Sequence, residues 1–200
     1  MILVCNLFLS SDAFGHHHES GEVADGKMYT AYNIWLWPSH NMICLNYKGA
    51  RNRIPAGTEV ENIQIVDFTF YYPSNIDVIQ EGIEFAIAES RKTYAIGFNP
   101  SYHPGATVKD YLRWMFTPKT LEELTSAFTP YEIAAIKEGT VAQGMRKDAV
   151  LASFGPPSER HTRGLHNNTW VYYIRKKEQL KIHFSKNPET GLEEVQQIDV

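Results

Sequence analysis

Three consecutive histidines, His16-His17-His18, with Glu19 behind them, are the side chains whose type and spacing speak first of a metal, because imidazole nitrogens hold transition ions. They lie in HHHESGEVADGK (His16 to Lys27), which has little apolar content and reads as a linker. A tripeptide on a flexible segment has no surrounding hydrogen bonds to fix ligand geometry, so no metal and no cofactor is expected. Nucleophilic catalysis needs a Ser or Cys activated by a base. The chain has no G-x-S-x-G turn, no GxGxxG fingerprint and no P-loop. Its two cysteines, Cys5 and Cys44, follow no zinc-site spacing. Cys44 sits in an apolar strand pattern, where a thiol is normally buried and inert. The adjacent pairs Glu122-Glu123 and Glu193-Glu194 read as solvated surface. The reading is of a protein that is not an enzyme. The alternative is a periplasmic enzyme or inhibitor with a pocket in the N-terminal half, where His103, Asp110 or tyrosines would converge on a deep cleft.

Charge patterning singles out a different set. The net charge is −4, which disfavours nucleic acid, since phosphate binding needs a concentrated basic surface. Residues 1–128 carry nine Lys+Arg against fourteen Asp+Glu, and residues 129–200 carry ten against nine. Within that second part Arg160, His161, Arg163 and His166 precede one strand pattern, and Arg175, Lys176, Lys177 and Lys181 surround the turn that follows it. Brought together by a sheet, Arg160, Arg163, Arg175, Lys176, Lys177 and Lys181 form a basic rim with Glu159 and Glu178 as opposing charges. Such a rim suits anionic lipid headgroups or an acidic protein surface.

These side chains need elements to carry them. Two hundred residues, 43% apolar and 21% charged, suit one large or two small globular units. Met1 to Leu9 (MILVCNLFL) is an apolar run followed by small residues. Ser11-x-Ala13 and Ala13-x-Gly15 have the form of a signal cleavage site, although no Lys/Arg precedes the run. An N-terminal strand is the other reading. The run is far shorter than the ~20 residues that span a bilayer, so no transmembrane segment is expected. Leu3-Val4 before Cys5 does not suit a lipidation site. Residues 1–27 are thus read as a signal remnant and linker, and the location as secreted or periplasmic.

From Met28 to Phe98 short apolar runs alternate with Gly, Pro and Asn: Tyr29 to Trp37, a turn at Pro38-Ser39-His40-Asn41, Met42 to Tyr47, Asn62 to Tyr72, Ile83 to Ile87 and Lys92 to Phe98. This predicts a small, curled antiparallel β unit in the style of an SH3-like barrel over 28–98. A helical connector follows over 99–128, with Thr107 capping a helix from Val108 to Phe116 and Thr120 placed three before Glu123. Over 129–200, Thr129-Pro130 starts a helix that Gly139 ends. A second helix runs from Arg146 to Phe154 and stops at Gly155-Pro156-Pro157. Strand patterns then cover Thr169 to Arg175, Gln179 to Ser185 and Leu192 to Ile198. The fold class is α+β, ending in a two-layer ααβββ module.

That last unit resembles a known family. Gly144-Met145, Val150, Phe154-Gly155-x-Pro157, Trp170-x-Tyr172, a strand ending in Phe184, and Val195-x-x-Ile198 are similar to the SmpA/OmlA (BamE-like) domain. The resemblance covers 129–200. It implies an ααβββ module of bacterial envelope lipoproteins, whose best-known member is a non-enzymatic accessory subunit of the outer-membrane β-barrel assembly machine. Members of that type consist mainly of this domain, whereas here about a hundred residues precede it. Asn33-Ile34-Trp35 and Ile54 to Val60 look like the β unit of uncharacterised lipoprotein-like proteins carrying the same module. The resemblance therefore implies an envelope interaction protein, periplasmic or outer-membrane associated. Its signature residues Gly144, Met145, Val150, Phe154, Gly155, Pro157, Trp170, Tyr172 and Phe184 read as scaffold: Gly144 for positive φ, Met145 as a gap-filler, Gly155-Pro156-Pro157 as the break that points the chain toward the sheet, and Trp170 and Tyr172 on the strand face that covers the helices.

Overall fold

The computed structural model describes residues 26–37, 42–68 and 81–200. The apolar run with Cys5, the cleavage-like sites, the histidine triplet with Glu19, the Pro38 to Asn41 turn and the end of the Asn62 to Tyr72 run lie outside the described residues. In chain order the elements are β1 (Met28–Thr30), β2 (Ile34–Leu36), β3 (Asn52–Ile54), β4 (Glu59–Asp67), β5 (Glu81–Ile87), β6 (Thr93–Phe98) and α1 (Val108–Met115). There follow β7 (Phe116–Thr117), α2 (Leu121–Thr125), α3 (Pro130–Glu138), α4 (Lys147–Phe154), β8 (Thr169–Arg175), β9 (Glu178–Lys186) and β10 (Glu193–Asp199). The chain is mixed α+β, with four helices and three antiparallel sheets among the described residues.

Three helices start the same way. Thr107, Thr120 and Thr129 each accept a hydrogen bond from the amide three residues on, and Asp110, Glu123 and Glu132 each accept one from the threonine's own amide. These reciprocal boxes satisfy donors that a helix N-terminus otherwise leaves open. At the other end of α3, Gly139 takes φ 69° and donates to Ala135 and Ile136.

The first sheet runs β6-β5-β4-β1-β7. Its core face carries Ile83, Phe85 and Ile96 against Tyr111 and Met115 of α1. The expected Val108 to Phe116 helix ends one residue sooner, because Phe116 turns to an extended φ of −126° and opens β7. Tyr111, 1% exposed, is the inward residue of this turn, and its neighbour Leu112 is half-buried.

Two strands expected in the N-terminal half differ. Tyr29 to Trp37 is not continuous: β1 belongs to the five-stranded sheet and β2 to the pair β2-β3. The chain crosses between them at Ala31–Asn33, where Ala31 N donates to Met115 O and Asn33 N to Ser153 O. Met42 to Tyr47 forms only a bridge, Ile43 beside Gly97. Asn46 there adopts φ 46°. Its side chain accepts from Trp35 N at 2.9 Å and donates to Asn33 O at 2.9 Å.

The second sheet runs β10-β9-β8. Leu180, Ile182 and Phe184 alternate inward, with Trp170 and Tyr172 beside them. They pack on Ile136, Met145, Val150 and Phe154 from α3, α4 and the link between them. A buried aromatic ring hides roughly 150–250 Å² from water, about 4–6 kcal/mol of gross stabilisation at ~25 cal/mol per Å². Trp35 of β2 and Ala56 belong to this second core. Both margins of the sheet receive other segments of the chain: Lys48 N and Gly49 N donate to Tyr173 O and Ile174 O of β8. Along β10, Gly144 N donates to Val195 O, and Val195 N donates to Met145 O.

Candidate functional site

The basic residues sit on a loop and a hairpin that the second sheet places side by side. Gly155, at φ 75°, ends α4 and sends the chain into a loop over the outer side of β8. There Thr162 Oγ1 accepts from Val171 N at 2.8 Å, and Ser158 Oγ and Arg160 N both donate to Tyr102 O. The His161 ring lies 5.9 Å from that of Tyr173. This stitching fixes Thr162, the residue before Arg163, on Val171, and the register sets Lys181 directly opposite Val171. Two residues beyond Tyr173, Arg175 begins the turn with Lys176 and Lys177.

Arg160, Arg163, Arg175, Lys176, Lys177 and Lys181 are all exposed. Arg175 reaches Glu178 at 3.8 Å, and the other five form no ion pair among the described residues. Glu159, half-buried, has its carboxyl pushed up by burial.

The residues proposed for an enzymatic pocket go elsewhere. Asp110 is the α1 box carboxylate and also meets Arg113 at 3.2 Å. His103 is fully buried among Phe98, Tyr111 and Trp114, and neither ring nitrogen has a hydrogen-bond partner. Burial holds its pKa down at about 4; the Cys44 backbone offsets part of this without forming a hydrogen bond of good geometry. Cys44 is 1% exposed, and burial pushes its thiol up to about 12. The Tyr32 and Tyr111 hydroxyls chain to the Cys44 carbonyl inside the same core. A small apolar crevice lined by Tyr32, Trp35, Trp37, Tyr47 and Tyr111 has room for about one water and contains neither His103 nor Asp110. Glu193 pairs with Lys147 at 2.9 Å, and Glu194 accepts from Asn187 and Thr190.

Two arrangements escaped the sequence reading. On the outer face of the second sheet, His183 Nδ1 lies 3.0 Å from Thr169 Oγ1 and Nε2 3.0 Å from Asp199 Oδ2, one residue from each strand. The alternation of β9 put His183 on the wet face, but its partners depend on register. Lys48 is the other. Its ammonium lies 4.5 Å from the centre of the Trp35 ring, with Phe154 and Tyr172 at 5.3 and 5.4 Å, and donates to Phe154 O at 2.6 Å. Burial there holds the amine well below the ordinary lysine range. No local pattern around Lys48-Gly49 announces it.

Gly144 has φ 83°, Met145 and Val150 are fully buried, and Phe154, Pro157, Trp170, Tyr172 and Phe184 are buried. No protein-family model, curated protein or solved structure matches the chain. Among the described residues no helix is long and apolar enough to cross a membrane.

Proposed function

We propose that this chain is a non-enzymatic interaction module of the bacterial cell envelope, periplasmic or outer-membrane associated, of the SmpA/OmlA (BamE-like) kind. In this reading residues 129–200 are a two-layer ααβββ module and the preceding β unit is of SH3-like barrel type. The order α3, α4, β8, β9, β10, with Trp170 and Tyr172 turned toward the helices, supports the resemblance. The observation that carries the functional reading is that Arg160, Arg163, Lys176 and Lys177, exposed on the 155–168 loop and the β8–β9 turn, form no ion pair among the described residues, while Lys181 lies opposite Asp199. Uncompensated charge of one sign attracts an anionic partner and holds it less well as salt rises. The partner is an envelope protein with an acidic surface, or anionic lipid headgroups.

The test is charge reversal on the intact chain, Arg175→Glu with Lys176→Glu. Retention on anionic vesicles, and recovery of co-purifying envelope proteins from membranes, should both be measured across a salt series. Loss of either form of binding in the variant, with the wild type weakening as salt rises, is the expected result. Unchanged binding to both would remove the rim from the function.

A further inference from the structure

A threonine, a histidine and an aspartate meet on the outer face of the second sheet, one from each strand. Thr169 opens β8 directly opposite His183 of β9, and Asp199 closes β10 opposite Lys181. Thr169 Oγ1 lies 3.0 Å from His183 Nδ1, and His183 Nε2 lies 3.0 Å from Asp199 Oδ2. Gln197 Nε2 donates to the other carboxylate oxygen at 2.7 Å and so orients the Asp199 side chain. That bond, with the one from His183 adding to it, holds the Asp199 carboxyl below its ordinary range. A carboxylate only accepts. In the neutral imidazole the proton therefore sits on Nε2, and the lone pair of Nδ1 accepts the Thr169 hydroxyl. This is the arrangement in which a positioned base takes the proton of an attacking hydroxyl, with the carboxylate fixing the tautomer. Thr169, His183 and Asp199 are all half-buried, so solvent reaches the line they form.

We infer that Thr169 is an acyl-acceptor site, modified by an ester or thioester with a good leaving group. The Thr169 oxygen bonds to the acyl carbon, and its proton passes to His183 Nδ1. The bond from that carbon to the leaving group breaks, and its electron pair departs on a phenolate or thiolate. His183 then releases the proton to water. The three side chains stand on a partly exposed sheet face, so the donor must bring a leaving group that is stable as an anion, which an amide does not. The product is an acylated threonine that stays on the chain. Such a modification goes beyond the interaction reading and does not rest on the basic rim.

The experiment incubates the intact protein with para-nitrophenyl acetate at neutral pH and stops the reaction with acid. Mass spectrometry then reads the tryptic peptide from Gly164 to Arg175, which holds Thr169 and no lysine. The expected result is acetyl on Thr169, absent from Thr169→Val and retained in Thr169→Ser, which keeps the hydroxyl. His183→Gln should slow the labelling about a hundredfold, the lower end of what a positioned base contributes. Asp199→Asn should slow it too, although the side chain keeps its size. With Gln197 donating to the amide oxygen, the amide N–H faces Nε2, the ring proton moves to Nδ1, and the hydroxyl loses its acceptor. No acetyl on Thr169, or acetyl only on lysines or on His183, overturns the inference. So does labelling of Thr169 that is as fast in His183→Gln as in the wild type.

Discussion

The carboxylate of Glu132, 2% exposed, accepts the backbone amide of Arg146 at 2.9 Å and its guanidinium through Nε at 3.0 Å and Nη2 at 2.8 Å. The pair locks the start of α3 to the start of α4, and Arg146 also donates to Ala127 O and stacks over Phe128.

Removing one partner of this pair should destabilise the protein strongly, by about 3–5 kcal/mol, because the other charge is left buried and unmatched. Arg146→Met should show this in urea unfolding at pH 7. The pair also sets an acid limit. Burial opposes ionisation of Glu132, yet the bonds from Arg146 and Thr129 outweigh it and hold the carboxyl at about 2, below the ordinary 4.5. A depressed carboxyl lends stability above its unfolded value and loses it as pH falls toward the folded one. The loss should fall between pH 4.5 and 2, and Glu132→Gln should flatten it.

His103 should govern a second, milder acid limb. Its folded value near 4 lies below the ordinary 6.5, so the unfolded chain takes up the proton first and stability drops as pH falls from 6.5 to 4. The drop corresponds to roughly 3 kcal/mol. His103→Phe keeps a ring in the aromatic box, so its urea midpoint at pH 7 should stay close to wild type and change little down to pH 4.5. A variant that still tracks the wild-type limb would refute the assignment.

Two glycines should respond differently to alanine. Gly144 has a positive φ with open space around it, so Gly144→Ala should cost about 1 kcal/mol. At Gly155 an added Cβ would lie 2.6 Å from the Tyr32 ring, at φ 75° and ψ −172°. Gly155→Ala should cost several times as much, seen as a much lower thermal midpoint.

Asn33 ties the β1–β2 crossing to helices α3 and α4. Its side chain donates to Ile136 O at 2.8 Å and Ser153 O at 2.9 Å, and accepts from Ala56 N at 3.1 Å. Asn33→Leu leaves the Ala56 amide buried and unpaired, a loss of about 2–3 kcal/mol. Hydrogen exchange should show faster opening at both Ala56 and the end of α4.

Local signals were enough for the helices and the last three strands. Thr129-Pro130, Gly139 and Gly155-Pro156-Pro157 mark their own boundaries through chemistry confined to a few residues, and β9 shows its buried face by alternation alone. The basic residues were readable as a composition feature, though not the hydrogen bonds at Thr162 and Tyr102 that hold their loop. Partners far apart in the chain left no local trace. Asn33 looks like one polar residue in an apolar strand, yet it breaks that strand because its partners lie 103 and 120 residues away. Glu132 and Thr129 announce a capping box, while the guanidinium that keeps Glu132 ionised comes from 14 residues on. Nothing local marks Lys48, which is caged by rings from three separate elements.

The seam between Lys48-Gly49 and β8 bears on how this protein can be dissected. An uncovered strand margin is a template onto which any extended chain can crystallise its hydrogen bonds. A fragment starting at residue 129 would bare Tyr173 O and Ile174 O while also losing Trp35 and Ala56 from beneath its sheet. Such a piece should be recovered as strand-paired dimers or precipitate, whereas the intact chain supplies that margin with its own guard.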